Sequence, residues 1–340
     1  MKVAIGYRLQ KGPWGGGNQF GHALAKALKN AGHEVCFDLD CNDIDIILLT
    51  EVRGRSKSGA FTAGAVLRYL WMTNMSAIVV HRINECDERK GTSYVNALLC
   101  RSNYVADHTV FVGAWLRNLP VWQGGGSTVI LNGADAGRFR PGSCNAMRQL
   151  PSPMRIVTHH WGGNWMKGFD AYSFIDQMLG ENEWREKFEF TYIGNMPPRV
   201  KLPFTRVIAP LSGSELADEL ASHHVYLTGS LNDPGPMHPL EAGLCGLPLI
   251  YRASGALPEY CNGYGLAFDS PEELPNILNE LLGNYGHWQA RMKGFPHTTD
   301  KMSDKYISLF NTLIESRDEI VARRRLWRSP WQMIRNQIPA

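Results

Sequence analysis

Short apolar runs alternate with amphipathic stretches along almost the entire 340-residue chain. The apolar runs predict β-strands and the amphipathic stretches predict helices, because apolar residues recur in each with the period of that element. Predicted strands cover residues 2–7, 34–39, 45–50, 77–81, 109–112, 127–131, 154–158, 189–193, 206–209, 225–228 and 248–251, and predicted helices cover residues 18–31, 171–179, 214–222, 239–243 and 271–282. Strands that alternate with helices predict parallel sheets with helices on both faces, the α/β class.

Two segments rich in turn-forming residues, Pro141-Gly142-Ser143 and Pro151-Ser152-Pro153, divide this alternation into two series. A domain typically holds roughly 100–200 residues, so a chain of this length predicts two domains. We therefore predict two Rossmann-like, doubly wound domains that face a central cleft, residues 1–150 and 151–317, followed by a C-terminal segment, 318–340.

Composition excludes several classes of protein. Hydrophobic residues make up 44% and charged residues 20%. This composition provides enough apolar residues for packed cores and excludes a disordered chain. The net charge of +3 is too small to indicate nucleic-acid binding. The seven cysteines form no CxxC pair, which argues against a zinc ribbon or a disulfide scaffold and favours a reduced, cytoplasmic protein. No apolar run reaches the roughly 20 residues of a membrane span, and residues 1–7 are too short for a signal peptide.

The C-terminal segment is basic and aromatic. Its arginines at positions 323, 324, 325, 328 and 335 are interleaved with Leu326, Trp327, Trp331, Met333 and Ile334. One interpretation is contact with an anionic membrane, which would make the protein peripheral at the inner membrane face. We favour a terminal helix that packs back on the domains with solvated arginines, because Pro330 interrupts the helical run.

A glycine-rich loop follows the first predicted strand, and Gly15, Gly16 and Gly17 in it directly precede the first helix. Glycines let the backbone approach a ligand closely, and a helix N-terminus offers N–H groups to an anion. The loop lacks the GxGxxG pattern, so the dinucleotide fingerprint of a dehydrogenase is absent. A tight turn explains the glycines about as well as a ligand does.

A second loop, residues 158–170, joins a strand to a helix in the second domain. Lys167 in this loop carries a point charge suited to a phosphate, and neighbouring glycines open the backbone around it. His159 and His160 invite a metal interpretation, but they lack acidic or cysteine partners at ligand spacing and fit better as strand-end histidines.

The third loop, residues 231–243, places Asp233 and Glu241 on either side of a Pro-Gly turn. Carboxylates suit the vicinal hydroxyls of a sugar or ribose. In the same loop, N–H groups of Gly235, Met237 and His238 offer donors to a phosphate or hydroxyl, whereas Pro236 has no N–H. The alternative is that Asp233 caps the turn and Glu241 faces solvent. We favour a ligand because all three loops follow the carboxyl ends of strands, where open α/β sheets bind ligands.

Two DxD strings, Asp38-Leu39-Asp40 and Asp43-Ile44-Asp45, raise the question of a metal site. Paired aspartates at this spacing can hold a metal ion together with a phosphate-bearing ligand. Acidic turn residues explain the two strings better here, because they flank a strand of the first domain. We therefore predict a site without a metal, in which a lysine and backbone N–H groups stabilise the negative charge of a phosphate.

These motifs, in this order, resemble the retaining, GT-B-fold glycosyltransferases of family 4. The resemblance spans roughly residues 1–280. It rests on Gly16-Gly17 with Gly32-His33-Glu34-Val35, Asn132-Gly133-Ala134-Asp135 with Phe139 and Pro141, Lys167-Gly168-Phe169-Asp170, the run from Asp233 through Glu241-Ala242-Gly243, Cys245-Gly246 and Pro248, and the later Gly255 and Glu259.

The resemblance implies a nucleoside-diphosphate sugar donor, UDP- or GDP-linked, held mainly by the second domain. Glu241 matches the glutamate that binds the nucleotide ribose, Asp233 the acidic residue on the donor sugar, and Lys167 the lysine on the diphosphate. His81 matches a histidine that faces the reacting sugar, and Gly16 lies where the family loop approaches the donor phosphate or the acceptor. Transfer to a hydroxyl of a glycan, a lipid-linked or a small-molecule acceptor, with retention of configuration, is also implied.

The chain departs from the family pattern at two positions. Asp233 replaces the usual glutamate, and no arginine precedes Lys167, so Asn164 and backbone N–H groups would assist the lysine. These departures leave open a second function, a catalytically weak nucleotide-sugar-binding subunit of a membrane-associated assembly. Sugar-nucleotide epimerisation is a third. The charged loop after His81, with Arg82 and Arg89, suits contacts to an acidic acceptor.

Overall fold

The computed structural model describes residues 1–10, 15–54, 56–142 and 152–338. Residues 11–14 of the glycine-rich loop and the predicted turn residues Ser143 and Pro151 lie outside these residues. The chain divides into two compact units. Unit 1 comprises Met1–Asn132 and Thr299–Ala340, and unit 2 comprises Gly133–Thr298.

Each unit contains one six-stranded sheet in which every strand pair is parallel. The strands are β1 (Lys2–Ile5), β2 (Glu34–Cys36), β3 (Ile46–Leu49), β4 (Ile78–Ile83), β5 (His108–Phe111), β6 (Gly126–Val129), β7 (Met154–His160), β8 (Phe188–Gly194), β9 (Arg206–Ile208), β10 (Val225–Thr228), β11 (Leu249–Arg252) and β12 (Gly265–Phe268). Their order is β2-β1-β3-β4-β5-β6 in unit 1 and β12-β11-β10-β7-β8-β9 in unit 2. The predicted α/β class with parallel sheets is confirmed.

Helices form most of the connections between successive strands, which parallel pairing makes long. They are α1 (Gly16–Asn30), α2 (Ala63–Met72), α3 (Asp87–Lys90), α4 (Val95–Ser102), α5 (Phe169–Met178), α6 (Asn182–Lys187), α7 (Gly213–Ala221), α8 (His238–Leu244), α9 (Leu257–Cys261), α10 (Leu274–Gly283), α11 (Tyr285–Met292), α12 (Thr299–Glu315), α13 (Arg317–Arg323) and α14 (Pro330–Gln337). Among the described residues, none of the helices is long and apolar enough to cross a membrane.

The sheet of unit 1 buries both of its faces, because successive side chains of a strand point to opposite sides. Ile47 of β3 packs in a cluster with Leu67 of α2. Its neighbour Leu48 packs in a second cluster with Leu24 of α1 and Tyr306 of α12. These side chains are almost fully buried, and a Leu or Ile buried in this way contributes ~1.5–3 kcal/mol through the area removed from water.

The sheet of unit 2 has a core of the same kind. Ile156 of β7 and Leu227 of β10 pack with Tyr172 of α5 and Leu278 of α10. The central strands β7, β10 and β11 are buried along nearly their whole length, as parallel strands covered on both faces should be. This burial fixes the carboxyl ends of the strands, from which the loops of the candidate site leave.

The units divide the chain at positions other than the predicted domain boundaries. Helix α12 follows unit 2 in sequence but packs in unit 1, where Tyr306 and Phe310 join the cluster of Phe20 and Leu24. The apolar face of α12 has Met302, Tyr306, Phe310 and Leu313 buried at helical spacing. That spacing predicts an amphipathic helix, but it does not say which sheet the helix covers.

The C-terminal segment packs on unit 1. Leu326 and Met333 join the cluster of Leu67, and Asn336 of α14 donates to the carbonyl oxygen of Arg101 (3.2 Å). Pro330 does not break a helix here but begins one, and the hydroxyl of Ser329 caps it by accepting from the Gln332 N–H. A proline is well tolerated in the first turn, where its missing N–H would have no partner within the helix.

The strand β12 and the helices α2, α3, α4, α6, α9, α11 and α12 are absent from the sequence-based prediction. Of the four residues of β12, Leu266 and Ala267 are not buried. Four residues at a sheet edge give too short a pattern to identify a strand.

We predict that the buried ion pair between Arg324 and Asp107 is essential to the stability of unit 1. Arg324 Nε and Nη2 reach the two carboxylate oxygens at 2.8 and 2.6 Å, and both side chains are about 95% buried. Asp107→Asn leaves the guanidinium buried without its countercharge, so the free energy of unfolding should fall by about 3–5 kcal/mol in urea denaturation. As a control, Glu319→Gln removes an exposed ion pair with Arg323 and should change little. Equal effects of the two variants would contradict the prediction.

Candidate functional site

Three loops of unit 2 meet at the carboxyl edge of its sheet. They follow β7, β10 and β11, which are neighbours in the order β11-β10-β7. The Leu231 N–H donates to the Met166 carbonyl oxygen (2.9 Å), which ties the loop after β10 to the loop after β7. The Ala256 N–H donates to the carbonyl oxygen of Asp233 (2.9 Å), which ties the loop after β11 to the loop after β10. The loops therefore form one backbone framework.

Gly168 and Gly255 occupy positions of this framework that require glycine. Gly168 has φ +99°, and a Cβ there would lie 2.3 Å from the carbonyl carbon of Gly229. Gly255 has φ +60°, and a Cβ there would lie 2.6 Å from the backbone nitrogen of Asp233. Backbones approach this closely only where no side chain intervenes. The glycine in Lys167-Gly168 thus lets the lysine loop pack directly against the loop that carries Asp233.

Lys167 and Asp233 face each other across these two loops. Lys167 Nζ lies 3.9 Å from Asp233 Oδ2, and the side chains are 16% and 8% exposed. The Gly235 N–H also points to Asp233 Oδ1, at 3.4 Å. Asn164, which is exposed, begins the short 3₁₀ helix Trp165–Lys167, and its carbonyl oxygen accepts the Lys167 N–H (3.0 Å). A cation and an acid at this partly screened edge suit a ligand with both phosphate and hydroxyl groups.

Glu241 lies in the first turn of α8 and is held by a buried histidine. His159 Nε2 lies 2.7 Å from Glu241 Oε2, and His159 Nδ1 lies 3.1 Å from the hydroxyl of Tyr226. A carboxylate only accepts, so Nε2 donates to it and Nδ1 is left to accept. Burial raises the pKa of Tyr226 well above its usual value, so that hydroxyl keeps its proton and donates. The chain of donors runs from Tyr226 through His159 to Glu241 and orients the carboxylate.

The remaining residues of the loop after β10 support α8. His238 begins the helix, and its side chain turns inward, with Nε2 2.8 Å from the hydroxyl of Thr228. Its ring packs on that of His160, with 4.7 Å between centroids. Pro236 is buried, and Met237 is partly exposed. The His238 side chain is therefore part of the packing beneath the loop, and its backbone remains the group we predict to meet a ligand.

In unit 1, His81 lies on the central strand β4 and is fully buried. The carboxamide oxygen of Asn103 accepts the Gln123 N–H (2.9 Å), which leaves its nitrogen as the donor to His81 Nδ1 (3.1 Å). Nδ1 therefore accepts, and the proton of the neutral ring is on Nε2. Nε2 is buried and has no hydrogen-bond partner within the part of the chain that the structure describes.

Gly16 and Gly17 form the first turn of α1, which follows β1 at the carboxyl edge of the same sheet. A Cβ on Gly17 would lie 2.5 Å from the hydroxyl oxygen of Tyr7. The packing of α1 against Tyr7 therefore requires a residue without a side chain here. This contact explains Gly17 without a ligand.

Arg82 is more enclosed than an acceptor-binding residue on a charged loop should be. It is 2% exposed, its Nη2 donates to Asn132 Oδ1 (2.8 Å), and its guanidinium lies 3.8 Å above the ring of Phe20. Arg89 is also buried. A guanidinium on an aromatic face is a stabilising cation–π contact, so the contacts assign Arg82 to the packing of α1 against β4.

The structure brings Asn164, Lys167, Asp233, Gly235, Pro236, Met237, His238 and Glu241 to one edge of unit 2. Gly16, Gly17 and His81 belong to unit 1. Sequence reasoning missed His159 as the partner of Glu241. Its place at the carboxyl end of a buried strand was the available signal, but the partner is 82 residues away in sequence.

The DxD strings are occupied by contacts within unit 1. Asp43 pairs with Lys2 Nζ (2.7 Å), and Asp45 accepts the backbone N–H of Lys2 (2.7 Å) and pairs with Arg317. Asp38 accepts the Asp40 N–H across a turn (3.2 Å). Across residues 1–10, 15–54, 56–142 and 152–338, no group of three or more His, Cys, Asp or Glu is arranged to hold a metal ion.

Comparison with solved structures gives matches over nearly the whole chain. Sucrose-phosphate synthase from Thermosynechococcus elongatus is 15% identical, with 93% of this chain and 98% of that chain covered and a TM-score of 0.63. HepE from Anabaena, in complex with UDP, is 14% identical, with 92% and 100% covered and a TM-score of 0.65. The UDP-forming α,α-trehalose-phosphate synthase from Burkholderia vietnamiensis is 11% identical, with 92% and 80% covered and a TM-score of 0.58. No family model and no curated protein matches the sequence.

The chain has the GT-B fold. Identities this low establish the fold alone, and they confirm the predicted architecture of two Rossmann-like α/β domains, each built on a six-stranded parallel sheet. The roles of the individual site residues stay predictions.

We predict that His81 stays neutral throughout the physiological range. Burial lowers its pKa from 6.5 to about 3, so between these values the unfolded chain binds a proton that the folded chain does not. The free energy of unfolding of the wild type should therefore decrease as pH falls from 6.5 towards 3, with a limiting slope of about 1.4 kcal/mol per pH unit from this group. His81→Gln removes this contribution, so its unfolding free energy should depend less on pH, as measured by urea denaturation.

Other buried histidines, including His223 and His224, have lowered pKa values as well. They are present in both proteins and cancel in the difference between wild type and variant. Parallel pH profiles of the two proteins would contradict the prediction for His81.

Proposed function

We propose that this protein is a glycosyltransferase that moves a sugar from a nucleoside-diphosphate sugar to an acceptor hydroxyl. The observation that carries the proposal is the meeting of Lys167, Asp233 and the His159-bound Glu241 at one edge of the unit 2 sheet. A lysine and two acids match a ligand that contains a diphosphate between two sets of hydroxyl groups. Ligands bind at this edge of open α/β sheets.

In this proposal each charged group of unit 2 contacts one part of the donor. Glu241, oriented by His159, accepts from the ribose hydroxyls. Lys167 and backbone N–H groups of Gly235, Met237 and His238 contact the diphosphate, and Asn164 assists them. Asp233 accepts from hydroxyls of the sugar, and the diphosphate competes with it for Lys167. Charge that develops on the leaving diphosphate is then stabilised by groups already in place.

Unit 1 supplies the acceptor side of the proposed reaction. Gly16 at the start of α1 lets the backbone approach the ligand, and Gly17 lets α1 pack against Tyr7 so that the helix N-terminus keeps this position. The proton on Nε2 of His81 makes it a donor toward the reacting sugar, and its lowered pKa keeps it uncharged. We propose retention of configuration and membership of family 4, in line with the motifs that the sequence shares with those enzymes. The acceptor, a glycan, lipid-linked or small-molecule hydroxyl, and the cytoplasmic location stay predictions.

The solved structures with the same fold support a nucleotide-sugar donor. HepE has been crystallised with UDP, with UDP-glucose, and with UDP and glucose. The trehalose-phosphate synthase is described as UDP-forming. We therefore propose a UDP-linked donor first and a GDP-linked donor second.

We predict that Glu241→Gln removes most of the affinity for nucleoside diphosphates. Replacing the carboxylate weakens hydrogen bonds to the ribose, so binding should be at least tenfold weaker, a loss of about 1.4 kcal/mol. The measurement is a thermal-shift panel of UDP, GDP, ADP and their sugars, in which a ligand at ~100 times its Kd stabilises the wild type by ~2.7 kcal/mol. The control variant Glu183→Gln, on the exposed face of α6, should show the same ligand-induced change in melting temperature as the wild type.

His159 gives an independent test of the same assignment. His159→Gln keeps an N–H donor near Glu241, whereas His159→Leu does not, so the first variant should bind the nucleotide more tightly than the second. A thermal shift unchanged in Glu241→Gln would overturn the ribose assignment. Nucleotide-sugar binding without release of the nucleotide in the presence of an acceptor panel would favour the binding-only subunit over the enzyme.

We predict that sugar transfer continues in the presence of EDTA, because Lys167 and backbone N–H groups supply the positive potential at the diphosphate. The measurement is the rate of nucleoside diphosphate release after dialysis against EDTA, with and without added Mg²⁺. Loss of activity that Mg²⁺ restores would contradict this prediction. The anomeric configuration of the product, read from its proton couplings, tests retention in the same reaction.

A further inference from the structure

Unit 1 exposes six large apolar side chains that share one region of its surface, which we call the tryptophan surface. They are Trp71, Met72, Trp327, Trp331, Ile334 and Ile338, and each is between 37% and 83% exposed. The rings of Trp71 and Trp327 stack at 5.1 Å between centroids, which joins the end of α2 to the segment before α14. Monomeric proteins rarely leave such a group of large apolar side chains in water without a use for it.

Helix α14 contributes apolar residues on both of its sides. Met333 and Asn336 face inward and are buried, whereas Trp331, Ile334 and Ile338 are exposed. Trp331 and Ile334 are three residues apart and lie on one side of the helix, so they form an outer stripe that faces solvent. Ile338, which is also exposed, lies just beyond the end of the helix. The inner face already anchors the helix, so the outer stripe is not needed to hold it to unit 1.

The anchoring of this region is rigid. The hydroxyl of Tyr104 donates to the Leu326 carbonyl oxygen (2.5 Å), and the Arg328 guanidinium lies 4.0 Å above the Tyr104 ring. Arg324 is held by the buried ion pair with Asp107. These contacts hold the backbone that carries Trp327 and Trp331 to unit 1, and both tryptophans are exposed.

The segments that form the tryptophan surface carry basic residues and no acidic ones. No Asp or Glu occurs in residues 52–84, 89–106 or 320–340, which include α2, α4 and α14. Arg325, Arg328 and Arg335 are exposed there. Arg101 Nη2 donates to the carbonyl oxygen of Ile338 (3.4 Å), so a further guanidinium lies beside the exposed apolar residues.

We infer that the tryptophan surface docks unit 1 on an anionic lipid bilayer. Tryptophan prefers the interface between headgroups and acyl chains, where its apolar ring and its N–H are both accommodated. Arginines beside it attract anionic headgroups. An apolar stripe flanked by arginines, with no carboxylate in the contributing segments, is the pattern of an interfacial helix. This inference is independent of the sugar chemistry assigned to unit 2.

A bilayer fits these observations better than a second protein. A protein interface would pair several arginines with specific acids, and the same surface on a second copy has no acid from these segments to offer. Binding to a bilayer does not require each arginine to meet a specific acid. It requires only apolar side chains that reach the same depth and cations around them.

The test is flotation of the full chain with vesicles of phosphatidylcholine, with and without phosphatidylglycerol. The wild type should float with anionic vesicles, stay behind with neutral ones, and dissociate as salt screens the arginines. The variant Trp327→Ser, Trp331→Ser, Ile334→Ser should bind at least tenfold more weakly. Arg325→Gln with Arg335→Gln, which leaves the apolar side chains in place, should also bind about tenfold more weakly.

Matched controls come from unit 2. Phe204→Ser removes an apolar side chain that is 48% exposed, and Arg206→Gln removes an exposed arginine. Both controls should bind vesicles like the wild type, and melting curves of all variants should confirm that they fold. Binding to neutral vesicles as strong as to anionic ones, absence of any binding, or unchanged binding of the two test variants would overturn the inference. A dimer in gel filtration that the triple variant converts to monomer would assign the surface to a second copy instead.

Discussion

Parallel pairing of every strand is the constraint on which the rest of this molecule depends. It requires a covering helix or long connection between successive strands, and it brings the carboxyl ends of neighbouring strands to one edge of the sheet. In unit 2 that edge collects Lys167, Asp233 and Glu241 from loops that are far apart in sequence. The apolar packing of β7, β10 and β11 fixes where the loops begin, and Gly168 and Gly255 let them pack on each other without intervening side chains.

Much of this fold could be predicted from the sequence, because two buried sheets impose a strong local pattern. The apolar runs that became β3 and β10 are continuous, and the position of Gly32 after α1, with φ +79°, is marked by its residue type. The elements that could not be predicted from the sequence were also missed for physical reasons. The strand β12 is too short to show a period, and α12 is amphipathic in a way that fits either sheet, so only its contacts with Phe20 and Leu24 decide its place.

The loops of the candidate site could be predicted from the sequence, but the side chains that hold the site residues in place could not. Lys167, Asp233 and Glu241 follow predicted strands and have charges that a ligand would use. The contact between His159 and Glu241 joins residues that no local pattern relates, and a strand-end histidine is explained equally well by packing. Arg82 shows the opposite error, because a charged loop suggested ligand contact where the structure places the guanidinium on the ring of Phe20.

The chain enters and leaves unit 2 at neighbouring points, where Ala134 and Thr298 pair in a parallel bridge. Unit 2 is therefore inserted into unit 1, which is built from two separated pieces of the chain. During synthesis, unit 1 lacks α12 and Arg324, which pairs with Asp107, until all of unit 2 has left the ribosome. Unit 2 has no such dependence, and residues 133–298 hold their own sheet and core. Unit 2 is thus free to fold first, and unit 1 is completed after it.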